Sequence, residues 1–130
     1  MAIELKNLEQ LKSMRKAGLV VADTLKLIKD SAQVGMTTIE LDEIAVANLK
    51  KHNATPSFLG YHGFPAVICA SVNEEVVHGI PNKRKLISGD LLSIDFGAII
   101  DGWHGDAAIS FGLGEIDAAD QKLMDVCQES

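Results

Sequence analysis

The dipeptide Asp101-Gly102 constrains this chain more than any other pair of residues. Asp-Gly accepts positive φ at both central positions of a tight hairpin turn, and two runs rich in apolar and β-branched residues flank it, Leu91–Ile100 and Trp103–Phe111. A two-residue turn fixes the pairing of those runs, with Asp106 opposite Gly97 and Asp95 opposite Ala108. Residues two apart on a strand share a face, so Asp95 and Asp106 become diagonal neighbours on one face, their backbones roughly 7–8 Å apart. Gly97, with no side chain, is expected to leave room beside Asp106.

The residues between the two acids are apolar: Ile94, Phe96, Ile99 and Ile100. Two carboxylates converging in such a setting repel one another and resist ionisation unless a cation joins them, so one or two divalent metal ions is the sharp reading. The plain alternative is a solvated sheet face with both acids bonded to turns or to Lys and Arg. His104 falls on the same face, either as a third ligand or as a turn histidine. His78 lies in Val76-Val77-His78-Gly79-Ile80-Pro81, an irregular loop of the kind on which functional residues concentrate; the alternative is a hydrogen-bonded structural histidine. His62 lies in Gly60-Tyr61-His62-Gly63-Phe64-Pro65, whose aromatics could wall a pocket or staple a loop. Cys69 reads most simply as a small buried apolar residue, and Lys83-Arg84-Lys85 as a solvated loop.

Upstream the apolar period changes to that of helices. Asn7 and Gln10 form a capping-box pattern before a stripe of Leu11, Met14, Gly18, Val21, Leu25 and Ile28 that ends near Ser31. Thr37 and Glu40 repeat the pattern before Leu41, Ile44, Ala45 and Leu49, with Asn53 and Pro56 as stop signals. Pro65–Val72 reads as a strand, and Asp117 as the cap of a last helix. Helix, helix, strands, hairpin, helix is an α+β arrangement with consecutive strands. A compact chain of 13.9 kDa exposes about 6,700 Å², enough to enclose a real core.

Net charge is −6, and residues 52–130 carry 4 basic against 11 acidic side chains, which argues against nucleic acid or an anionic membrane as partner. Two cysteines make no disulfide framework, no leader precedes Leu5, and no apolar run approaches a membrane span, so a soluble cytoplasmic protein is expected. Asp95-Phe96-Gly97 spells the kinase metal-loop tripeptide without its companions, and Gly112-Leu113-Gly114 lacks the third glycine of a dinucleotide fingerprint.

In order and spacing, Gly60-Tyr-His-Gly-Phe-Pro65, Cys69-Ala-Ser-Val-Asn-Glu74, Val77-His-Gly-Ile-Pro81, Gly89-Asp-Leu-Leu-Ser-Ile-Asp95 and Asp101-Gly-Trp-His-Gly-Asp106 resemble type I methionine aminopeptidases. Met14-Arg-Lys-Ala-Gly18 and Gly35-Met-Thr-Thr-Ile-Glu-Leu-Asp42 look like that family too, so the likeness spans essentially all 130 residues. It implies the N-terminal α-α-β-β half of a pita-bread fold, antiparallel strands backed by two helices, with residues 1–130 forming half of a catalytic domain. It implies a dinuclear metalloaminopeptidase that hydrolyses methionine from the N-termini of nascent proteins and peptides, using two divalent ions for which Co, Mn, Fe, Zn and Ni are all suitable. Carried over by position, Asp95 looks like a bidentate metal ligand and Asp106 like the carboxylate bridging both metals. His78 looks like the histidine that contacts the substrate near the scissile amide, and Tyr61, Phe64 and Cys69, with His62 beside them, like the wall that receives the methionine side chain. The family gives His104 no ligand role.

The resemblance also brings a histidine and two glutamates from the second half of that fold, and these are not in the sequence. The expectation is therefore a weak, incomplete metal site, little or no peptidase activity of this chain by itself, and a homodimer through the exposed half-fold face. Two other functions remain open on the same fold: a non-catalytic binding or dimerisation module, and an X-Pro aminopeptidase or prolidase relative.

Overall fold

The computed structural model describes residues 2–130. Helix α1 (Leu8–Ser31) starts at Asn7, whose side chain accepts from the Gln10 N–H while the Gln10 side chain accepts from the Asn7 N–H. Helix α2 (Thr38–Lys51) starts with the same reciprocal pair, Thr37 and Glu40, and Asn53 beyond its end takes positive φ. Strands β1 (Thr55–Pro56), β2 (Ile68–Val72), β3 (Leu91–Ile100) and β4 (Trp103–Gly112) follow, then helix α3 (Ala118–Glu129), capped by Asp117.

All four strands form one antiparallel sheet centred on β3, with β1 and β2 along one of its edges and β4 along the other. The turn has Asp101 at φ 51° and Gly102 at φ 78°, and the register is the one a two-residue turn dictates, with Gly97 facing Asp106 and Asp95 facing Ala108. Both long helices lie on one face of the sheet. Val21, Leu25 and Ile28 of α1 share one core cluster with Leu92, Ile94, Phe96 and Ala98, the alternate residues of β3, and Leu41, Ala45 and Leu49 of α2 join it beside α1, β1 and β2. The other alternate set, Ser93, Asp95, Gly97 and Ile99, therefore turns to the opposite face, joined by His104, Asp106, Ala108 and Ser110 of β4. This is the α+β arrangement expected, antiparallel strands backed by two helices.

Between the helices runs a polar seam. Asn48 donates to Thr24 Oγ1 (2.9 Å) and Asp23 Oδ2 (3.0 Å), and His52 Nε2 lies 2.9 Å from the same Asp23 oxygen. Asp42 of α2 accepts from the N–H groups of Val67 and Ile68 (2.9 and 3.0 Å) and so pins the start of β2.

Three sequence expectations are corrected. The α1 stripe is buried only from Ala17 onward, through Val20, Val21, Thr24, Leu25 and Ile28, while Leu11 and Met14 stay exposed because nothing among the described residues covers that part of the helix. The strand expected from Pro65 begins at Ile68, because the pairing with β3 starts at Ile68 opposite Phe96, and Pro65 has no N–H to give a ladder. The space above Gly97 is not left open: a Cβ there would stand 2.8 Å from Ser57 Cβ and 3.1 Å from Phe58 Cε1. Those two side chains occupy it.

Candidate functional site

The uncovered face of the sheet forms the floor of a cleft of about 520 Å³ lined by Phe58, Tyr61, His62, Gly63, Phe64, Pro65, Cys69, His78, Ile80, Asp95 and Asp106. Of the residues singled out in the sequence, Tyr61, His62, Phe64, Cys69, His78, Asp95 and Asp106 line it, and His104 does not. Three chain segments bring them together. The hairpin carries the two aspartates on one face, and Cys69 of β2 stands directly across from Asp95 in the ladder.

The second segment is the loop 57–65. Its backbone closes on itself through Tyr61 N–H to Phe58 O (2.9 Å), Gly60 N–H to Phe64 O (2.9 Å) and Phe64 N–H to Tyr61 O (2.9 Å). Gly60 and Gly63 take φ of 81° and 79°, which lets so tight a loop turn and present its aromatics. The Tyr61 and His62 rings meet edge to face, centroids 4.3 Å apart.

The third segment is the loop after β2. Gly79 lies against β2, accepting from the Ala70 N–H (2.8 Å) and donating to Ser71 Oγ (3.1 Å). A Cβ on Gly79 would stand 2.3 Å from the Ala70 oxygen, so only glycine allows this approach. His78 just before it adopts the left-handed conformation (φ 57°) and faces into the cleft. Strain of this kind persists only where surrounding contacts impose it.

Burial pushes the Asp95 carboxyl above the usual carboxylate range, and the charge and hydrogen bonding of Asp106 add to it, with His78 acting in the opposite sense. Burial, reinforced by the same two aspartates, pushes the Cys69 thiol up to about 11. This favours the protonated thiol, a small polarizable group on the cleft lining. A pair of mutually repelling carboxylates is what a divalent cation would relieve, and hard oxygen donors suit one. The donor set therefore fits part of a metal site; among the described residues no cluster of three His, Cys, Asp or Glu side chains could hold a metal. His104 is occupied otherwise: its Nδ1 lies 3.0 Å from Ser57 Oγ.

Phe58, Pro65 and Ile80 line the cleft without having been singled out in the sequence, as does the backbone of Gly63. The signal for Phe58 was its place beside an aromatic turn segment; for Ile80, its adjacency to His78-Gly79.

The profile of metallopeptidase family M24 matches residues 12–130. Methionine aminopeptidase 1 of Mycobacterium tuberculosis is 52% identical over 122 residues, covering 93% of this chain and 46% of its own length. The crystal structure of methionine aminopeptidase from Rickettsia prowazekii superposes with a TM-score of 0.95 at 36% identity, over 98% of this chain and 52% of the other. An Xaa-Pro dipeptidase from Bacillus anthracis, at 20% identity and a TM-score of 0.81, shares the fold. The chain thus spans about half the length of the relatives it matches.

Proposed function

Since the chain belongs to metallopeptidase family M24, we propose that it forms the part of a methionine aminopeptidase that contributes two metal ligands and one wall of the substrate pocket. The activity proposed is hydrolytic release of N-terminal methionine from peptides and nascent proteins. The observation that carries this reading is the meeting of Asp95, Asp106 and His78 with Tyr61, Phe64 and Cys69 around one cleft.

Asp95 and Asp106 would hold divalent metal, Co, Mn, Fe, Zn or Ni being suited to such ligands. When bound, the metal supplies Lewis acidity that polarises the scissile carbonyl and acidifies water. This chain's own residues do the rest. Tyr61, Phe64 and the Cys69 thiol receive the methionine thioether on an apolar, polarizable surface, with His62 at the rim. His78, held by its strained backbone, donates a hydrogen bond toward the amide where charge develops. Two carboxylates do not complete a cation's coordination, so this chain by itself binds metal weakly and turns over little peptide. The proposed setting is the cytoplasm, with no nucleic acid or membrane as partner; no described helix is long and apolar enough to cross a membrane. A second copy is proposed to cover the exposed apolar side.

The test compares a Met-Ala peptide with an X-Pro peptide, each with Mn²⁺ or Co²⁺, using the longest product of the gene and this chain in parallel. Preferential release of methionine by the longer product supports the reading. Preferential cleavage before proline, or no metal uptake by either protein, overturns it.

A further inference from the structure

The aromatic loop 57–65 supplies most of one cleft wall, yet little holds it to the floor. Beyond Ser57 its backbone hydrogen bonds are internal, and among the described residues just two bonds tie it to the sheet. Both are made by Ser57: its N–H donates to Gly97 O (3.0 Å), and its Oγ lies 3.0 Å from His104 Nδ1. Gly97 faces Asp106 across the β3–β4 ladder, and His104 is two residues from Asp106 on the same face. The Ser57–His104 bond therefore passes over β3 and joins the loop to the strand that carries a proposed metal ligand. Ser57 and Phe58 rest on Gly97, where a Cβ would meet both. A smaller cavity of about 240 Å³ lies within the bracket, bounded by Ser57, Phe58, Tyr61, His104 and Asp106.

We infer that His104 is a positioning residue: through Ser57 it braces the loop 57–65, and with it Phe58, Tyr61 and Phe64, at a fixed distance from Asp95 and Asp106. In this role His104 binds neither metal nor substrate. It sets the width of the cleft between the carboxylate floor and the aromatic wall, and so the fit of an apolar side chain held there. The consequence for methionine rests on the proposed function; the brace itself does not.

The experiment is amide hydrogen exchange on the full 130-residue chain, with Mn²⁺ affinity and L-methionine affinity measured on the same samples. Tyr61 is the sole tyrosine, so its ring resonances report methionine binding. His104→Ala and Ser57→Ala each speed exchange of residues 58–64 about fivefold, the scale of one exposed hydrogen bond. The double variant goes no further, because both remove the same bond. His104→Asn, whose amide takes the place of Nδ1, restores slow exchange. Exchange along the β3–β4 ladder and Mn²⁺ affinity stay at the parent values in all four, while methionine affinity falls several-fold in the two alanine variants. The brace is overturned if residues 58–64 exchange at the parent rate in His104→Ala, or if the two alanine effects simply add. A fall in Mn²⁺ affinity with the loop unchanged would likewise overturn it, making His104 a ligand. Failure of every sample to bind methionine, with the exchange pattern intact, counts against the proposed function and leaves the brace standing.

Discussion

Asp95 and Asp106 face a conflict that neither side chain can resolve by itself. Burial disfavours the ionised form of Asp95, and Asp106 beside it disfavours that form further. A bound divalent cation reverses the second effect and offsets the first. Asp106→Asn removes one proposed ligand together with the repulsion, so Mn²⁺ affinity by calorimetry is expected to fall more than about tenfold, a loss that even outer partners of a metal site can cause. Unchanged affinity would remove Asp106 from the site. Asp23, on the far side of the sheet, shows the opposite sign: hydrogen bonds from Asn48 and then His52 hold its carboxyl below the usual range. A depressed folded pKa stabilises the fold above the unfolded value, near 3.9, and that contribution is lost as pH falls through the lower folded value. Its side chain is 51% exposed, so screening keeps the contribution under about 1 kcal/mol. Asp23→Asn should accordingly flatten the acid limb of a stability–pH curve below about pH 4 and leave the neutral region nearly level. A parallel acid limb in both proteins would show the pair to be inert.

At the scale of elements, α1 lies directly against β4. A Cβ on Gly105 would stand 2.7 Å from the Ala17 carbonyl carbon and the Gly18 nitrogen, both backbone atoms that cannot rotate away. Gly105→Ala is expected to lower the urea midpoint by the equivalent of about 1–3 kcal/mol, the usual cost of overpacking. An unchanged midpoint would mean that the helix slides freely on the sheet. The same elements show why some of the fold was legible in the sequence. Asp101-Gly102 admits one register, and period-two alternation then places Asp95 and Asp106 on one face without further information. The helix starts were legible because a capping box is a local bond between residues three apart. Leu11 and Met14 misled because a periodic stripe states which residues align, not whether anything covers them. Phe58 and Ser57 escaped notice because their place depends on Gly97 and His104, distant in sequence, and on a loop closed by left-handed residues that leave no periodic trace.

At the scale of the whole molecule, the surface is too large for the mass. The chain exposes 8438 Å², about 1,700 Å² more than the roughly 6,700 Å² of a compact protein this size. The core under the sheet is well enclosed, with Phe96, Ile94, Leu92 and Ile28 buried, so the excess lies elsewhere. Helix α3 buries no residue at all and leaves Leu123 and Val126 65% and 57% exposed. Leu8 and Leu11 at the start of α1 and Leu5 before it are also bare. Strand β4, ten residues long, pairs on one side only among the described residues, and an open edge of that length is a template for further pairing. A stable protein–protein interface removes about 800 Å² from each partner, so the excess suffices for one. The expected outcome is concentration-dependent self-association, visible in sedimentation velocity as a growing dimer. Leu123→Glu together with Val126→Glu should return the protein toward monomer without lowering its thermal stability, since neither side chain belongs to the core. A single monomeric boundary at the highest attainable concentration would mean that this face is not used between copies of the chain. Dimers that survive both substitutions would instead place the contact away from α3, at the open β4 edge or at the bare start of α1.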